Sequence, residues 1–360
     1  MENKTILIVA PSLQGGGIER VLTNLSSHFV KRDHKVVYVA CRAGNHFYQL
    51  DDEVIFREPS FVHTASAKFK VFNYYKTIRF IRKQIKEFEP DTILSFGDII
   101  NPLALIANHK LGYPIYISDR ISPKQKLGFT KDFLKKITYP SATGIIAQSS
   151  NAATYKREVF GDKINVTIIP NALREVSPCA DFKSKKNWVI GVGRLSFEKG
   201  FDRLVDAFAK IKGHEDWLLV LAGDGPVRKD LENQAYRLGI KDRVTFLGLI
   251  KDVDTLLSQS SIFVLPSRCE GFPNALCEAM ASPLPCISFD SVSASDIIEN
   301  RVNGVVIPDG DVDGLTHEIQ VLMDDEQLRK SYADKAYSIR EMLDKDKIGD
   351  KFLEYILGQF

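Results

Sequence analysis

The chain alternates between short, uninterrupted apolar runs and longer stretches in which apolar residues recur at helical spacing. Uninterrupted apolar runs are typical of strands that are buried on both faces of a parallel sheet. The first half contains six such runs: Thr5–Ala10, Lys35–Ala40, Thr92–Phe96, Ile115–Ser118, Gly144–Gln148 and Val166–Ile169. Strands that alternate with helices predict an α/β fold with a doubly wound parallel sheet.

A second alternating series begins after an irregular, polar stretch. Its predicted strands are Trp188–Gly193, Trp217–Ala222, Val244–Leu247, Ile262–Pro266, Pro285–Phe289 and Gly304–Ile307. The pattern therefore predicts two Rossmann-like domains facing across a cleft, over residues 1–170 and 187–344, with a linker at 171–186. A last helix within 345–360 is expected to pack back on the first domain.

Ligands of such sheets bind beyond the carboxyl ends of the strands. Gly15, Gly16 and Gly17 follow the first strand and precede a helix predicted from Ile18 to about Arg32. Three glycines allow the backbone to adopt positive φ and let a ligand approach it closely. The spacing is not that of a dinucleotide fingerprint, and a purely structural turn is the alternative.

Two cations follow the strand that opens the second series. Arg194 and Lys199 lie in one loop, ahead of a helix predicted over Phe201–Lys210. A planar guanidinium fork and a compact ammonium charge together suit a diphosphate. Two solvated surface cations are the alternative.

Two glutamates stand at the end of a later strand and just inside the next helix. Glu270 follows the strand, and Glu278 lies about one turn into the helix. The backbone N–H groups of Phe272, Asn274 and Ala275 are expected to be free at this helix N-terminus, where they would attract phosphate. Sugar hydroxyls are the natural partners of the carboxylates. A surface loop whose acids favour the helix N-terminus is the alternative.

Together these motifs resemble glycosyltransferase family 4, the retaining enzymes of the two-Rossmann GT-B architecture. The resemblance is strongest in residues 186–310 and rests on the glycine loop, Arg194 and Lys199, Ala222-Gly223-Asp224-Gly225-Pro226, and the pair of glutamates. It implies that the first domain binds the acceptor and that the second binds a nucleotide-sugar donor, with UDP as the expected nucleotide.

The resemblance also implies residue roles. Arg194 and Lys199 would neutralise the donor diphosphate, Glu278 would accept hydrogen bonds from the ribose, and Glu270 would hold the transferred sugar near its C3. The other implied donor contacts are Gly16, Gly17, Ile250, Gly271, Phe272, Asn274 and Ala275.

One position departs from the family. Many relatives have a histidine after the strand that corresponds to Ile115–Ser118, where this chain has Asp119 and Arg120. Arginine does not act as a base at neutral pH. Arg120 is therefore expected to position or stabilise charge, and Asp119 to orient the acceptor hydroxyl. A helix cap beside a surface cation is the alternative.

No metal or other cofactor is predicted, because preorganised cations and amides can stabilise a departing diphosphate by themselves. The Asp309-Gly310-Asp311 sequence has the spacing of a metal-binding pair, but it precedes a helix over Val312–Met323, so turn formation and helix capping are expected instead. The five cysteines form no Cys-x-x-Cys pair, which favours a reducing compartment.

Charge and amphipathic pattern suggest an anionic partner for the first domain. Residues 1–170 hold 24 Lys and Arg against 15 Asp and Glu, whereas residues 171–360 hold 24 against 31. If Lys68–Lys86 is helical, its apolar stripe is Val71, Tyr74, Tyr75, Ile78, Ile81 and Ile85, and its basic stripe is Lys76, Arg79, Lys83 and Lys86. This pattern suits an anionic membrane surface or a lipid diphosphate.

A second basic and aromatic patch comprises Lys124, Lys126, Phe129, Lys131, Phe133, Lys135 and Lys136. The alternative for both patches is a helix that packs on its own sheet and exposes a solvated charged face. No nucleic-acid recognition motif is present, so nucleic acid is not predicted as a partner.

The sequence thus predicts a retaining glycosyltransferase that moves a hexose or N-acetylhexosamine from a UDP-sugar to a lipid-diphosphate-linked glycan. Its expected place is the cytoplasmic face of the cell membrane, as a peripheral protein of bacterial polysaccharide or glycan assembly. A nucleotide-sugar epimerase of the same architecture and a non-catalytic nucleotide-sugar-binding or scaffold subunit are the alternatives.

Overall fold

The computed structural model describes residues 2–61, 70–120, 128–161, 164–177 and 185–358. Contacts divide the chain into two compact units. Unit 1 comprises Met1–Ala172 and Lys345–Phe360, and unit 2 comprises Leu173–Asp344. The chain therefore passes from unit 1 to unit 2 between Ala172 and Leu173, and its last segment belongs to unit 1.

Unit 1 is built on seven parallel strands in the order β3-β2-β1-β4-β5-β6-β7. The strands are β1 (Thr5–Ala10), β2 (Lys35–Ala40), β3 (Ile55–Arg57), β4 (Thr92–Phe96), β5 (Ile115–Ser118), β6 (Gly144–Ala147) and β7 (Val166–Ile168). The central strands are buried along their whole length, because helices cover both faces of a doubly wound sheet.

The helices of unit 1 are α1 (Gly17–Lys31), α2 (Lys70–Phe88), α3 (Ile100–Asn108), α4 (Phe129–Thr138), α5 (Ser150–Phe160) and the C-terminal α13 (Lys345–Leu357). Helix α13 is held against α1 by polar contacts. His28 lies within 2.9 Å of an Asp350 carboxylate oxygen, and Arg32 donates two hydrogen bonds to the same carboxylate. Phe352 is buried in unit 1, where its ring packs against that of Phe96.

Unit 2 contains six parallel strands in the order β10-β9-β8-β11-β12-β13. They are β8 (Trp188–Val192), β9 (Leu218–Ala222), β10 (Val244–Gly248), β11 (Ile262–Leu265), β12 (Cys286–Phe289) and β13 (Val305–Ile307). In both sheets the strand order reverses beside the first strand, between β1 and β4 in unit 1 and between β8 and β11 in unit 2. Ligands of open α/β sheets bind at this switch point.

The helices of unit 2 are α6 (Phe201–Ala209), α7 (Arg228–Arg237), α8 (Val253–Gln259), α9 (Asn274–Ala281), α10 (Val312–Asp324), α11 (Glu326–Ala336) and α12 (Ile339–Met342). Apolar side chains from α6, α10 and the sheet form one core, which includes Phe201, Phe208, Phe289 and Leu322. No helix in the described ranges has the length and apolar character that crossing a membrane requires.

The predicted α/β fold class is confirmed, and each predicted strand is present to within a residue or so at its ends. Strand β3 is the one that the apolar pattern missed. It has three residues, all only partly buried, and lies at the edge of its sheet, so it lacks the uninterrupted apolar run of a central strand.

Candidate active site

The loops after β8 and β11 lie side by side in unit 2. Strands β8 and β11 are hydrogen-bonded neighbours at the switch point, although some seventy residues separate them in the chain. The first loop carries Arg194 and Lys199, and the second carries Glu270. The sheet topology therefore brings together two groups that the sequence predicted as site residues.

Lys199 and Glu270 form an ion pair. The Lys199 ammonium lies 2.6 Å from Glu270 Oε1, and both side chains are largely shielded from solvent. The Ser267 hydroxyl donates to the same oxygen at 2.9 Å, and the Ser291 hydroxyl donates to the Ser267 carbonyl at 2.7 Å. The Glu270 carboxylate is thus held in place by two donors from two different loops.

Arg268 makes more contacts between the two loops than the Lys199–Glu270 ion pair does. Its guanidinium donates to both carboxylate oxygens of Asp202, at 2.7 and 2.5 Å, and to the Phe197 carbonyl at 2.8 Å. Its backbone amide donates to the Glu198 carbonyl. A bidentate, charge-assisted pair fixes both the distance between the guanidinium and the carboxylate and the relative orientation of their planes. This bridge therefore determines how the segment with Lys199 faces the segment with Glu270.

Glycines allow these loops to approach each other closely. Gly200 has φ of 65°, and a Cβ atom there would overlap the carbonyl oxygen of Pro266. In the Ala222-Gly223-Asp224-Gly225-Pro226 segment, a Cβ on Gly223 would overlap the Gly193 carbonyl, and one on Gly225 would overlap the Leu195 carbonyl. The glycines of this segment therefore support the loop that carries Arg194, whose own side chain is exposed.

Glu278 lies in α9 with its side chain only 16% exposed. Its Oε2 accepts a hydrogen bond from Arg174 Nη2 at 3.2 Å, and its Oε1 lies 3.0 Å from Arg174 Nε in the same ion pair. The sequence did not single out Arg174. At the start of the helix the prediction of free amides was wrong for Asn274, whose N–H donates to the Phe272 carbonyl. No backbone acceptor within the described ranges receives the amides of Phe272 or Ala275.

The segment after β10, at the edge of the sheet of unit 2, contains Ile250, one of the implied donor contacts. Leu249 is 84% exposed and Ile250 is 36% exposed, so both apolar side chains are open to a ligand. The segment ends at Asp252, which caps α8 by accepting the Thr255 amide.

Gly16 and Gly17 lie at the start of α1 in unit 1. Gly15, Gly16 and Gly17 do not adopt the positive φ that glycine allows, since the positive-φ glycines lie elsewhere. Gly16 is extended, with φ of −176°, and a Cβ there would overlap a carboxylate oxygen of Glu19. At position 16, glycine therefore leaves room for the flexible Glu19 side chain, which packs closely there, and does not serve an unusual backbone conformation.

Asp119 lies at the end of β5 in a buried polar cluster. Its carboxylate accepts from Lys156 Nζ at 2.6 Å, Lys135 Nζ at 2.9 Å, the Tyr139 hydroxyl at 2.5 Å and the Asn101 amide at 3.2 Å. Four donors occupy the positions that a carboxylate offers. The geometry therefore does not support the prediction that Asp119 orients an acceptor hydroxyl, because no lone pair is left.

The carboxyl of Asp98 shares Lys135 with Asp119. Asp98 lies 2.7 Å from Lys135 Nζ and is buried. Burial and the nearby Asp119 charge raise the pKa of Asp98 to about 6. Burial also acts to raise the pKa of Asp119, but Lys156 and Lys135 outweigh it and hold that pKa below its usual range.

Arg120 turns inward rather than towards solvent. Its guanidinium lies 4.1 Å from the centre of the Phe96 ring and donates to Asn171, and burial lowers the pKa of Arg120 to about 9. Its Nε and Nη2 atoms are buried and find no hydrogen-bond partner in the part of the chain that the structure describes. The alternative of a surface cation is therefore wrong for Arg120.

Asp309 and Asp311 have structural partners. Asp311 caps α10 by accepting the Gly314 amide at 2.8 Å, which confirms the predicted cap, and Asp309 pairs with Arg203 at 2.8 Å. Over the described ranges, no group of three or more His, Cys, Asp or Glu side chains could hold a metal ion.

The two basic patches of unit 1 are only partly available to a partner. In α2, Ile81 and Ile85 are buried in the core, whereas Val71 and Tyr75 are exposed. In α4, Phe129 and Phe133 are exposed and stacked, but Lys135 is directed into the cluster with Asp98 and Asp119. Lys124 and Lys126, and Lys68 at the start of the other patch, lie outside the described residues.

Comparison with protein families covers both units. The model of Glycosyltransferase Family 4 matches residues 15–174, and that of Glycosyl transferases group 1 matches residues 176–339. The lipopolysaccharide core biosynthesis glycosyltransferase LpsE of Rhizobium meliloti is 30% identical to this chain, over 78% of the chain and 79% of LpsE. The chain belongs to glycosyltransferase family 4.

Two further proteins are similar to this family 4 glycosyltransferase over nearly its whole length. It is 28% identical, over 98% of both chains, to a Campylobacter jejuni enzyme named GalNAc-alpha-(1->4)-GalNAc-alpha-(1->3)-diNAcBac-PP-undecaprenol alpha-1,4-N-acetyl-D-galactosaminyltransferase. The crystal structure of Anabaena HepE in complex with UDP covers 99% of this chain and is itself fully covered, with a TM-score of 0.80 and 21% identity. This structural likeness shows the GT-B fold.

Several polar residues of the two units were missed by sequence reasoning. They are Asp98, Tyr139 and Lys156 in unit 1, and Arg174, Asp254 and Ser267 in unit 2. Ser267 directly follows an apolar run and Asp98 follows one after Gly97, so their position at strand ends was the available signal. The other side chains reach their partners from helices or from the segment that enters unit 2, where no local pattern marks them.

Proposed function

We propose that this family 4 enzyme is a retaining glycosyltransferase that transfers a hexose or N-acetylhexosamine from a UDP-sugar to a glycan acceptor linked to a lipid diphosphate. The nucleotide sugar binds at the switch point of unit 2. The enzyme acts as a peripheral protein on the cytoplasmic face of the membrane, in the assembly of a bacterial surface polysaccharide or glycan.

The pairing of Lys199 with Glu270 carries this proposal. A cation suited to a diphosphate lies 2.6 Å from a carboxylate suited to sugar hydroxyls, as a donor whose sugar is joined directly to its diphosphate requires. The Arg268 bridge holds the two loops together through the Asp202 carboxylate. Such preorganised charge is the largest contribution to many enzymatic rate enhancements.

The proposed reaction breaks the bond between the sugar C1 and the β-phosphate oxygen. Lys199 and Arg194 stabilise the negative charge that develops on the departing UDP, while Glu270 holds the sugar by its hydroxyls. The acceptor hydroxyl attacks C1 from the face that UDP leaves, and its proton passes to the departing phosphate oxygen. The configuration at C1 is therefore retained, and no enzyme carboxylate is needed as a nucleophile.

The donor and acceptor classes are supported by the relatives. UDP is the ligand in the HepE complex, and the name of the Campylobacter jejuni relative describes an undecaprenyl-diphosphate acceptor. In unit 1, Arg120 provides a buried cation near the end of β5, and we propose that it positions or stabilises charge during transfer. The exposed apolar side chains of α2 and α4 and the basic residues Lys76, Arg79, Lys83 and Lys86 are the proposed membrane-facing groups.

A donor screen followed by two substitutions tests the function. UDP-sugars are screened by thermal shift, since a ligand that binds the folded state stabilises it in proportion to the logarithm of its concentration over Kd. Transfer to a lipid-diphosphate-linked glycan is then measured in EDTA. We expect Glu270→Ala to lower kcat by on the order of 100-fold, as loss of a group that stabilises the transition state does.

Glu278→Ala is expected to weaken UDP binding about tenfold and to change kcat little, since a hydrogen bond to a charged group contributes roughly 1.5–3 kcal/mol. Glu299→Ala, at an exposed glutamate of the same unit, is the matched control and should leave both quantities unchanged. Conversion of the donor to an epimer without acceptor would indicate an epimerase. Donor binding without turnover for any acceptor would indicate a non-catalytic binding subunit.

A further inference from the structure

Arg174 lies between two carboxylates in unit 2. Its Nε and Nη2 atoms lie 3.0 and 3.2 Å from Oε1 and Oε2 of Glu278, and Nη2 also lies 2.5 Å from Asp254 Oδ1. The side chains of Arg174 and Glu278 are 24% and 16% exposed. A partly buried guanidinium thus bridges a residue of α9 and a residue of α8.

The contact with Glu278 fixes the plane of its carboxylate. Nη2 donates a hydrogen bond to Oε2 at 3.2 Å and Nε lies 3.0 Å from Oε1, so one edge of the planar guanidinium faces both oxygens of the carboxylate. Each carboxylate oxygen has a second lone pair that Arg174 does not use. Glu278 therefore keeps two acceptor positions, one on each oxygen, as two neighbouring hydroxyls require.

Arg174 also changes the charge that a donor would meet. A carboxylate near an anionic diphosphate repels it, and the Arg174 cation offsets that repulsion. Asp254 in turn fixes Arg174, and its second oxygen accepts the Ser177 amide at 2.9 Å. Hydrogen bonding from Arg174 lowers the pKa of Asp254, so this carboxylate stays ionised and keeps hold of the guanidinium.

We propose that Arg174 is a positioning residue that presents Glu278 to the two ribose hydroxyls of the nucleotide. The proposal rests on the donor site proposed above. It predicts that Arg174 contributes to affinity through the ribose alone, with little effect on the chemical step. The same bridge connects Glu278 with α8, which begins at Val253, shortly after the exposed Leu249 and Ile250.

The test compares two ligands, UDP and 2′,3′-dideoxy-UDP, by calorimetry. The wild type is expected to bind UDP at least tenfold more tightly. Arg174→Met, which keeps much of the length of the side chain but removes the fork, should weaken UDP binding about tenfold and leave dideoxy-UDP binding unchanged. Arg174→Lys restores the charge without the fork and should recover only part of the preference.

Two further variants separate positioning from a general structural role. In the Glu278→Ala background, Arg174→Met should cost little additional UDP affinity, because the two residues act on one interaction. Arg340→Met is the matched control. Arg340 donates to the carbonyls of Val176 and Ala281, and so ties the same segment to the end of α9 without a contact to Glu278. It should leave the preference for UDP intact.

The outcomes are distinguishable. If the Arg174 variants lose affinity for both ligands equally, or if Arg340→Met has the same effect as Arg174→Met, the side chain is structural and the inference is overturned. If the wild type prefers UDP and Arg174→Met keeps that preference, the inference alone fails. A wild type that binds no nucleoside diphosphate overturns the proposed function, and this inference with it.

Discussion

Asp98 and Asp119 both contact Lys135, yet their pKa values shift in opposite directions. Asp119 accepts from two ammonium groups, a phenol and an amide, whereas Asp98 accepts from Lys135 alone among its described side-chain contacts. Both are buried, so the number of donors decides the direction of each pKa shift. Asp119 is the anion around which this corner of unit 1 is organised.

The cluster predicts different consequences for the two asparagine substitutions. At pH 7, Asp119→Asn should lower the free energy of unfolding by roughly 3–5 kcal/mol, since it leaves Lys156 buried without its carboxylate partner. Asp98→Asn should cost little at this pH, because Lys135 keeps Asp119 as a partner. Urea unfolding of both variants measures the difference in unfolding free energy. Equal losses at pH 7 would contradict the conclusion that Asp119 is the anion around which the cluster is organised.

The pH dependence follows from the signs of the shifts. The folded pKa of Asp98, about 6, lies above its unfolded value of 3.8, so its ionisation lowers the unfolding free energy as pH rises between about 4 and about 6. In the wild type this decrease in unfolding free energy should be on the order of 2 kcal/mol. In Asp98→Asn it should be absent, because the asparagine does not ionise. The pKa of Asp119 is shifted down, so its contribution is present above about pH 4 and is lost only below it.

At the scale of elements, the site of unit 2 depends on two loops that are distant in the chain and lie in contact in the fold. The loop between β8 and α6 gains its shape from its own turn and from Gly200, and the loop after β11 leads into α9. Arg268 and Gly200 are where they touch: the first bridges to Asp202, and the second lets the Pro266 carbonyl approach. The relative position of Lys199 and Glu270 is therefore a property of packing between elements.

Gly200→Ala tests that packing. The substitution imposes both a left-handed backbone and a clash with the Pro266 carbonyl, whereas Gly213→Ala imposes a left-handed backbone, with φ of 77°, in open space. We expect Gly213→Ala to cost roughly 1–2 kcal/mol of unfolding free energy and to leave UDP affinity unchanged. Gly200→Ala should cost more and should also weaken UDP binding and slow transfer. Equal effects of the two variants on UDP affinity would show that the contact does not control the site.

At the scale of the whole molecule, charge is distributed unevenly between the two halves of the chain. The first 170 residues carry a net charge of +9 and the remainder −7, within a total of +2. In unit 1 the basic residues of α2 lie on the same helix as exposed Val71, Phe72 and Tyr75. An exposed apolar end beside lysines and arginine is typical of a surface that contacts anionic lipid.

Vesicle flotation tests this distribution. The triple variant Lys76→Glu, Arg79→Glu and Lys83→Glu should lose binding to vesicles with anionic lipid, since each basic residue near such a surface contributes about 1 kcal/mol. The control variant carries three substitutions at exposed lysines of unit 2, namely Lys212→Glu, Lys229→Glu and Lys241→Glu. It changes the net charge by the same amount as the first variant and should still float with the vesicles. A wild type that stays off anionic vesicles, with transfer unchanged in the first variant, would rule out the membrane surface.

The sequence by itself determined both parallel sheets and the positions of most loops that carry chemistry. Apolar runs of strand length and the glycines after them are local features, so Arg194, Lys199 and Glu270 were found from pattern. It also indicated the C-terminal helix. It missed β3, whose short, half-buried edge position leaves little periodic signal.

Only the tertiary structure decided which of these loops meet. The pairing of β8 with β11 places Lys199 against Glu270, and the segment that enters unit 2 places Arg174 against Glu278, 104 residues away. It also decided that Asp119 is fully hydrogen-bonded within a buried cluster, although the sequence analysis expected it to orient the acceptor hydroxyl. Contacts between residues so distant in the chain depend on strand order and helix packing, and no local pattern of side chains specifies either.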